Sequence, residues 1–340
     1  MSSNNRPPTI ADVAQRAGVS IATVSRVLND KTYVAAFTAG HVRDAIAELD
    51  YRPRAAARTL ASRKTNTIGL LLPEISGAFF QPLLRGVEAS AGDAGYDLQI
   101  HTTRNPYLHN NFRRPLGEHN TDGLLVFTDS LDAKELIRLH SIGFPVVLLH
   151  QSPPQFIQMP VVTIENQSGA QKIVDHLIEI HNRRRIVFLL GQDSHEDSLW
   201  REKGYRVALK SHAIRFDPSL VAPGGFNRDQ AKETILQILL DGLEFDAIFT
   251  GDDDAATGVL EALHHAGMRV PQDIAVVGFD DAPFSRYLTP PLTTIRAPTE
   301  EVGRTAISQL LKLIHGEKYD PITLLPTELV IRSSCGCQGE

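Results

Sequence analysis

The chain has 340 residues, 42% hydrophobic and 22% charged, which is ordinary globular material for two or three domains and gives no sign of disorder. Its longest apolar runs, Ile68–Pro73 and Ile186–Leu190, fall far short of the ~20 residues a bilayer-crossing helix needs. The start, Met1–Pro8, is polar and unlike a secretory signal, so a cytoplasmic protein is expected. A net charge of −6 argues by itself against nucleic acid, but the charge is unevenly placed. Residues 1–64 hold ten Lys or Arg against five Asp or Glu, net +5, whereas the other 276 hold 24 against 35, net −11. A small basic module suited to phosphates is joined to a large acidic one that would repel them.

Thr9 followed three residues later by Asp12 predicts a capped helix start, and Ile10, Val13, Ala14 and Ala17 continue it at helical spacing. Gly18 can end that helix, and Ser20 can cap a second one with Val24, Val27 and Leu28 facing inward. Its outward face would carry Ile21, Ala22, Ser25, Arg26 and Asn29, small and hydrogen-bonding groups with one guanidinium that fit a major groove. Val42, Ile46 and Leu49 predict a third helix, with Tyr51 closing the mini-core, although Gly40 inside it costs ~1 kcal/mol relative to Ala. Spacing alone also fits a plain αα-hairpin; the positive charge favours a DNA-binding helix-turn-helix. The stretch 54–62 is basic and helix-prone, with Pro53 well placed at a helix start.

Beyond residue 65, short apolar runs alternate with helical patterns: Ile68–Leu72, Leu98–Ile100, Leu124–Phe127, Val146–Leu149, Ile186–Leu190, Ala247–Phe249 and Ala275–Val277. This is the pattern of parallel sheets covered on both faces, an α/β body with enough strands for two sheets. Asp252, Asp253 and Asp254 suggest a cation site only weakly, because adjacent carboxylates point in different directions. His264 and His265 read as solvated helix residues. Cys335 and Cys337 lack further ligands nearby in sequence, so an inert tail is expected, with no metal and no cofactor. Phosphate loops, nucleophile elbows, His-Glu-x-x-His and Gly-x-Gly-x-x-Gly fingerprints are all missing, which argues against an enzyme. Asn166-Gln-Ser168 is a chance sequon.

The run Thr9-Ile-Ala-Asp-Val-Ala-Gln-Arg-Ala-Gly-Val-Ser-Ile-Ala-Thr-Val-Ser-Arg-Val-Leu-Asn29 closely resembles the DNA-binding head of the LacI/GalR repressor family. The likeness continues through Tyr51-Arg-Pro53, Ala57-Arg-Thr-Leu60 and Thr67–Pro73 and extends over essentially the whole chain. It implies a helical headpiece over residues 1–64 with a hinge helix near 54–62, a two-lobed body over 65–335 built from two Rossmann-like parallel sheets as in periplasmic binding proteins, and a tail at 336–340. The implied crossovers between lobes lie near Val161–Glu165, Pro290–Thr294 and Ile322–Leu325.

By that resemblance Ser20 to Asn29 is the recognition helix, with Arg26 nearest a guanine and Ile21 and Ala22 against thymine methyls. Thr9, Thr23, Ser25, Asn29 and Tyr33 are implied phosphate contacts, which set register. Leu60 matches the family's minor-groove wedge and Ala57 the small residue that lets paired hinge helices approach; the alternative for Leu60 is a linker side chain packed on the core. Ala35 and Ala39 depart from the family pattern, standing where a serine cap and an arginine are usual.

In the body, Arg201, Asp252 and Asp280 match the family's pocket residues and together could hold the hydroxyls of a sugar. Phe79, Phe80, Trp200 and Phe226 could offer flat faces to a sugar ring, core packing being the equal alternative for each. Gly77-Ala78 and His150-Gln151 depart from the common Asn-Pro and Asp-Arg, so the effector need not be a common sugar. The resulting expectation is a repressor whose lobe closure, set by a small polar effector, governs hinge pairing on a palindromic operator. The missing leucine heptad tail predicts a homodimer rather than a tetramer. The rival readings are a stand-alone sugar-binding protein serving transport, disfavoured by the basic head, and a sugar-processing enzyme.

Overall fold

In the computed structural model, Thr9 caps helix α1 (Ile10–Ala17) in a complete capping box: Asp12 N–H donates to Thr9 Oγ1 and Thr9 N–H to Asp12 Oδ2 at 2.8 Å. Gly18, with φ of 67°, ends that helix by donating to Ala14 and Gln15 carbonyls. Ser20 Oγ accepts the Thr23 N–H at 3.1 Å at the head of α2 (Ile21–Asn29), and α3 (Ala36–Glu48) follows. Val13, Ala14, Val24, Val42, Ala45 and Tyr51 form the buried centre, flanked by Val27, Leu28, Ile46 and Leu49. Ala35 gives α3 no side-chain cap, as its missing hydroxyl predicts. The structure describes residues 6–29, 34–51, 64–103, 116–192 and 195–338, of Asn29 the backbone alone. Residues 1–65 and 66–340 form separate units, each with its own interior.

The larger unit begins with β1 (Thr67–Leu72), α4 (Phe80–Asp93), β2 (Asp97–Thr102), β3 (Gly123–Phe127), α5 (Ala133–Ser141), β4 (Val146–Leu149) and β5 (Val161–Ile164). There follow α6 (Asn166–Glu179), β6 (Ile186–Leu190), α7 (Glu196–Ser211), β7 (Val221–Pro223), α8 (Arg228–Leu240), β8 (Ala247–Thr250), α9 (Asp253–His265) and β9 (Ala275–Val277). Last come β10 (Thr294–Arg296), α10 (Thr299–His315), β11 (Ile322–Leu325) and β12 (Glu328–Val330). One parallel sheet runs β11-β5-β4-β3-β1-β2 and a second β7-β6-β8-β9, while β10 and β12 pair antiparallel. Strands β3, β4 and β8 are buried along their whole length, which is why their sequences are unbroken apolar runs.

The sequence places two crossovers on segments that turn out to be strands. Val161–Ile164 and Ile322–Leu325 pair with each other in the first sheet, in register Val161↔Ile322. The chain leaves that sheet just afterwards, between β5 and α6 and between β11 and β12, and the middle passage falls after β10 rather than at 290–294. Strand β7 gives little sequence signal because it is three residues long, ends in proline and lies at a sheet edge. The C-terminus also departs from expectation: Cys335 is fully buried against the main core and Cys337 packs beside it, so this segment is no inert tail.

Candidate DNA interface and effector cleft

In the headpiece, the inward positions of α2 leave Ser20, Ile21, Ala22 and Arg26 exposed, with Ile21 at 51% despite its apolar side chain. Thr23 and Ser25 are half-buried on the flanks. The exposed side of α2 thus offers an apolar side chain, Ile21, and a guanidinium, Arg26, to a partner. Thr9 Oγ1 is already engaged with Asp12, donating at 2.7 Å, so any phosphate contact from Thr9 shares that hydroxyl with the cap. The side chain of Asn29, and Tyr33, Ala57, Leu60 and the hinge stretch 54–62, lie outside the described residues.

In the body, the ends of the strands converge on one polar network. Arg201, in the second turn of α7 and 2% exposed, donates from Nε to Asn166 Oδ1 at 2.8 Å, from Nη1 to the Gly251 carbonyl at 2.5 Å and from Nη2 to Asp280 Oδ1 at 3.3 Å. Its guanidinium carbon lies 3.8 Å from the Phe279 ring centroid and 5.5 Å from that of Phe226. Asn166 also donates to Asp197 Oδ1 at 2.8 Å, and Asp197 Oδ2 meets His150 Nδ1 at 2.8 Å. Beside this network opens a pocket of about 370 Å³, lined from the first lobe by Ala78, Phe79 and Pro82 and from the second by Asp280, Asp281 and Pro283. Asp280 sits at φ of 107°, an unusual conformation for a non-glycine residue, which sets it at the junction of network and pocket.

Burial shifts the carboxyls of this cleft in different directions. Burial pushes the Asp280 carboxyl up despite the Arg201 charge, and burial together with repulsion from Asp280 pushes Asp252 well up, although Asp252 Oδ1 accepts the Ala255 N–H at 2.9 Å as the cap of α9. Burial would also raise Asp197, but His150 and Arg201 outweigh it and hold Asp197 at about 2. Two imidazole nitrogens, His150 Nε2 and His195 Nδ1, are buried without a hydrogen-bond partner among the described residues. A molecule carrying several hydroxyls, each both donor and acceptor, could answer the carboxylates and the imidazoles together.

Of the residues singled out in the sequence, Arg201, Asp280 and Phe226 are brought together, Asp252 stands beside them as a helix cap, and Phe79 lines the pocket. The other two aromatics stand apart from this network. Phe80 is a core residue, 8% exposed and packed edge-on against Phe127, because it starts α4 facing the sheet. Trp200 stays 45% exposed with the Lys203 ammonium 4.6 Å from its ring centroid, since it is one helical step round from Arg201. Sequence reasoning missed His150, Asn166, His195 and Asp197; the unusual His150-Gln151 pair was the only hint. Asp253 was missed too: 1% exposed, it accepts from Thr294 Oγ1, Ser285 Oγ and the Ala282 N–H, tying α9 to the following loop and to β10.

A capped helix-turn-helix unit and a two-sheet body with a polar cleft define a DNA-binding regulator of transcription. Residues 9–54 match the model for bacterial regulatory proteins of the lacI family, and residues 174–335 match that for a periplasmic binding protein-like domain. The HTH-type transcriptional regulator CelR of Thermobifida fusca is 33% identical over 338 residues, covering 97% of this chain and 98% of its own. Among solved structures, the lac repressor dimer bound to operator and the anti-inducer ONPF superposes with a TM-score of 0.83 at 28% identity, covering 97% of this chain and 99% of that one. A complex of CelR with cellobiose gives a TM-score of 0.72 at 32% identity, with 96% and 99% covered. The chain therefore belongs to the LacI family of bacterial transcriptional regulators, which are not enzymes. Among the described residues no helix is long and apolar enough to cross a membrane.

Proposed function

We propose that this regulator is a homodimeric repressor whose affinity for a palindromic operator is controlled by a small polyhydroxylated effector, a sugar or sugar-like molecule, held between the two lobes of the body. The observation that carries this reading is the buried Arg201 fork joined to Asp280 and, through Asn166, to the His150–Asp197 pair, with two unpartnered imidazole nitrogens beside it. Cellobiose in the CelR complex and the operator in the lac repressor structure support the two halves of the reading by analogy. Arg26 reads one guanine per half-site, Ile21 and Ala22 contact methyl groups, and Ser20, Thr9, Thr23, Ser25, Asn29 and Tyr33 hold the backbone. Leu60 wedges the minor groove with Ala57 at the contact between hinge helices. Phe79 and Phe226 flank the effector, and Asp252 and Asp280 accept its hydroxyls.

The test is an operator selected from random palindromic duplexes, titrated by fluorescence anisotropy at fixed salt with wild type and Arg26→Ala. The variant is expected to lose roughly 1–3 kcal/mol, concentrated at one base pair per half-site. Uniform weakening over all sequences would reduce Arg26 to a phosphate contact, and no binding of any duplex at low salt would overturn the regulator's proposed mode of action. A thermal-shift panel of mono- and disaccharides identifies the effector class, and a compound that stabilises wild type but not Arg201→Lys marks the cleft as its site.

A further inference from the structure

His176 lies in the last turn of α6, His181 two residues beyond its end, and Cys335 and Cys337 come after β12, more than 150 residues later. The fold brings one ligating atom from each within 4.8 Å of all the others. Cys337 Sγ is 3.4 Å from His181 Nε2 and 3.6 Å from His176 Nε2. With metal–sulfur and metal–nitrogen bonds of ~2.3 and ~2.0–2.1 Å, a tetrahedral zinc ion sets sulfur–nitrogen edges of ~3.5 Å. Two imidazoles and a second thiol converge on the Cys337 sulfur, an arrangement that one ion held by all four groups would satisfy at once.

The surroundings match a closed site. Cys335 is fully buried and His176 is 8% exposed, so the core side is dry. Thr293 Oγ1 donates to Cys335 Sγ at 3.1 Å, the kind of outer hydrogen bond that orients and stabilises a thiolate ligand. Gly336 reverses the chain between the two cysteines at φ of 115°, and a Cβ there would sit 3.0 Å from His181 Nδ1. A glycine between the cysteines is thus what lets both sulfurs face the same point.

We propose that His176, His181, Cys335 and Cys337 form a closed tetrahedral site for one thiophilic divalent cation of the zinc type, which fastens the C-terminal segment to the end of α6. That segment also carries Ser334, which bridges the Thr293 N–H and the Val276 carbonyl, and Arg332, which donates to Asp281 beside the cleft. The ion therefore anchors the C-terminal turn that carries these contacts and takes no part in holding the effector.

Full-length protein purified under reducing conditions is assayed for zinc by plasma mass spectrometry, then reloaded with Co²⁺ and scanned for visible absorption. About one equivalent of zinc per chain is expected, as are the d–d bands of tetrahedral cobalt with thiolate charge transfer. Cys337→Ser and His181→Asn, both at half-exposed positions, should each weaken Co²⁺ binding by about tenfold or more. Far-ultraviolet circular dichroism shows whether each variant is folded, and a Gly336→Ala chain, folded but crowded at His181, should lose affinity in the same direction. Less than about a tenth of an equivalent after incubation with zinc, an octahedral cobalt spectrum, or unchanged Co²⁺ affinity in folded variants overturns the proposal. None of these readouts depends on DNA or sugar, so the outcome is independent of the proposed regulatory role.

Discussion

His150 and Asp197 face each other at 2.8 Å across the cleft, one at the end of β4 in the first lobe and the other in the first turn of α7 in the second. Both are nearly sealed from solvent. Next to them Ser152 donates from N and Oγ to the Glu196 carboxylate, each at 2.8 Å. The lobes are thus joined by a latch of polar contacts, which can be exchanged for contacts to a ligand or to water more readily than an apolar seam. His150→Ala takes from the buried Asp197 carboxylate its 2.8 Å partner, leaving it the Asn166 amide and the more distant Arg201. The expected loss is about 2 kcal/mol or more, together with a larger radius of gyration in small-angle scattering as the lobes part. A variant with the wild-type scattering curve and melting temperature would show that the latch does not hold the lobes.

Two buried carboxylates give opposite pH signatures. Asp197 is held at about 2, below its ordinary 3.8, so its contribution is present above about pH 4 and fades as pH falls towards 2. Asp253 is raised to about 7, because burial and the nearby Asp280 outweigh its three hydrogen-bond donors. Its contribution is complete below 3.8 and is lost as pH rises through about 7. Thermal melts of wild type should therefore carry an Asp253-dependent decline between about pH 4 and 7. Asp253→Asn, which carries no titrating carboxyl, should show a flatter slope over that window. An identical slope in both proteins would remove Asp253 as its source.

Much of this arrangement is legible in the sequence because it is local. The capping box at Thr9 and Asp12, the turn at Gly18 and the inward face Val24, Val27 and Leu28 are fixed by neighbours within four residues. The apolar strands read equally well, since burial on both faces leaves unbroken runs such as Val146–Leu149. What escapes are relations set by the crossing of the two lobes. Nothing near His150 points to Asp197, 47 residues on, and nothing near Cys337 points to His176. Burial separates neighbours in the same way: Arg201 is sealed into the polar network while Trp200 stays half exposed beside Lys203.

Arg201 should be the most sensitive single position of the body. Its three donated hydrogen bonds end on a side-chain amide, a backbone carbonyl and a carboxylate that point in different directions, a set that a planar fork can reach and a single ammonium cannot. Arg201→Ala removes the cation and strands Asp280 and the Gly251 carbonyl, with an expected loss of roughly 3–5 kcal/mol. Arg201→Lys should keep part of the charge compensation and fall between the two. Urea unfolding measures the order; a lysine variant as stable as wild type would mean that charge alone, and not the fork, is required.

The headpiece can be made firmer where its third helix is weakest. Ala35 occupies the N-cap of α3 with φ −51° and ψ 135°, and its methyl offers the first-turn N–H groups no acceptor. Ala35→Ser supplies the missing oxygen and should stabilise the helix by ~1 kcal/mol. Gly40 sits in the middle of the same helix, and a Cβ there would meet no atom within 4 Å. Gly40→Ala should then add another ~1 kcal/mol by restricting the unfolded chain and improving helix propensity. The sites are five residues apart on one short helix, so the double variant tests whether cap and interior act independently. Amide hydrogen exchange across α3 in the full-length chain is the measurement. Protection should rise at Val42 and Ala45, whose side chains are buried in the mini-core, and unchanged exchange in the double variant would mean that tertiary packing already holds the helix beyond the reach of its ends.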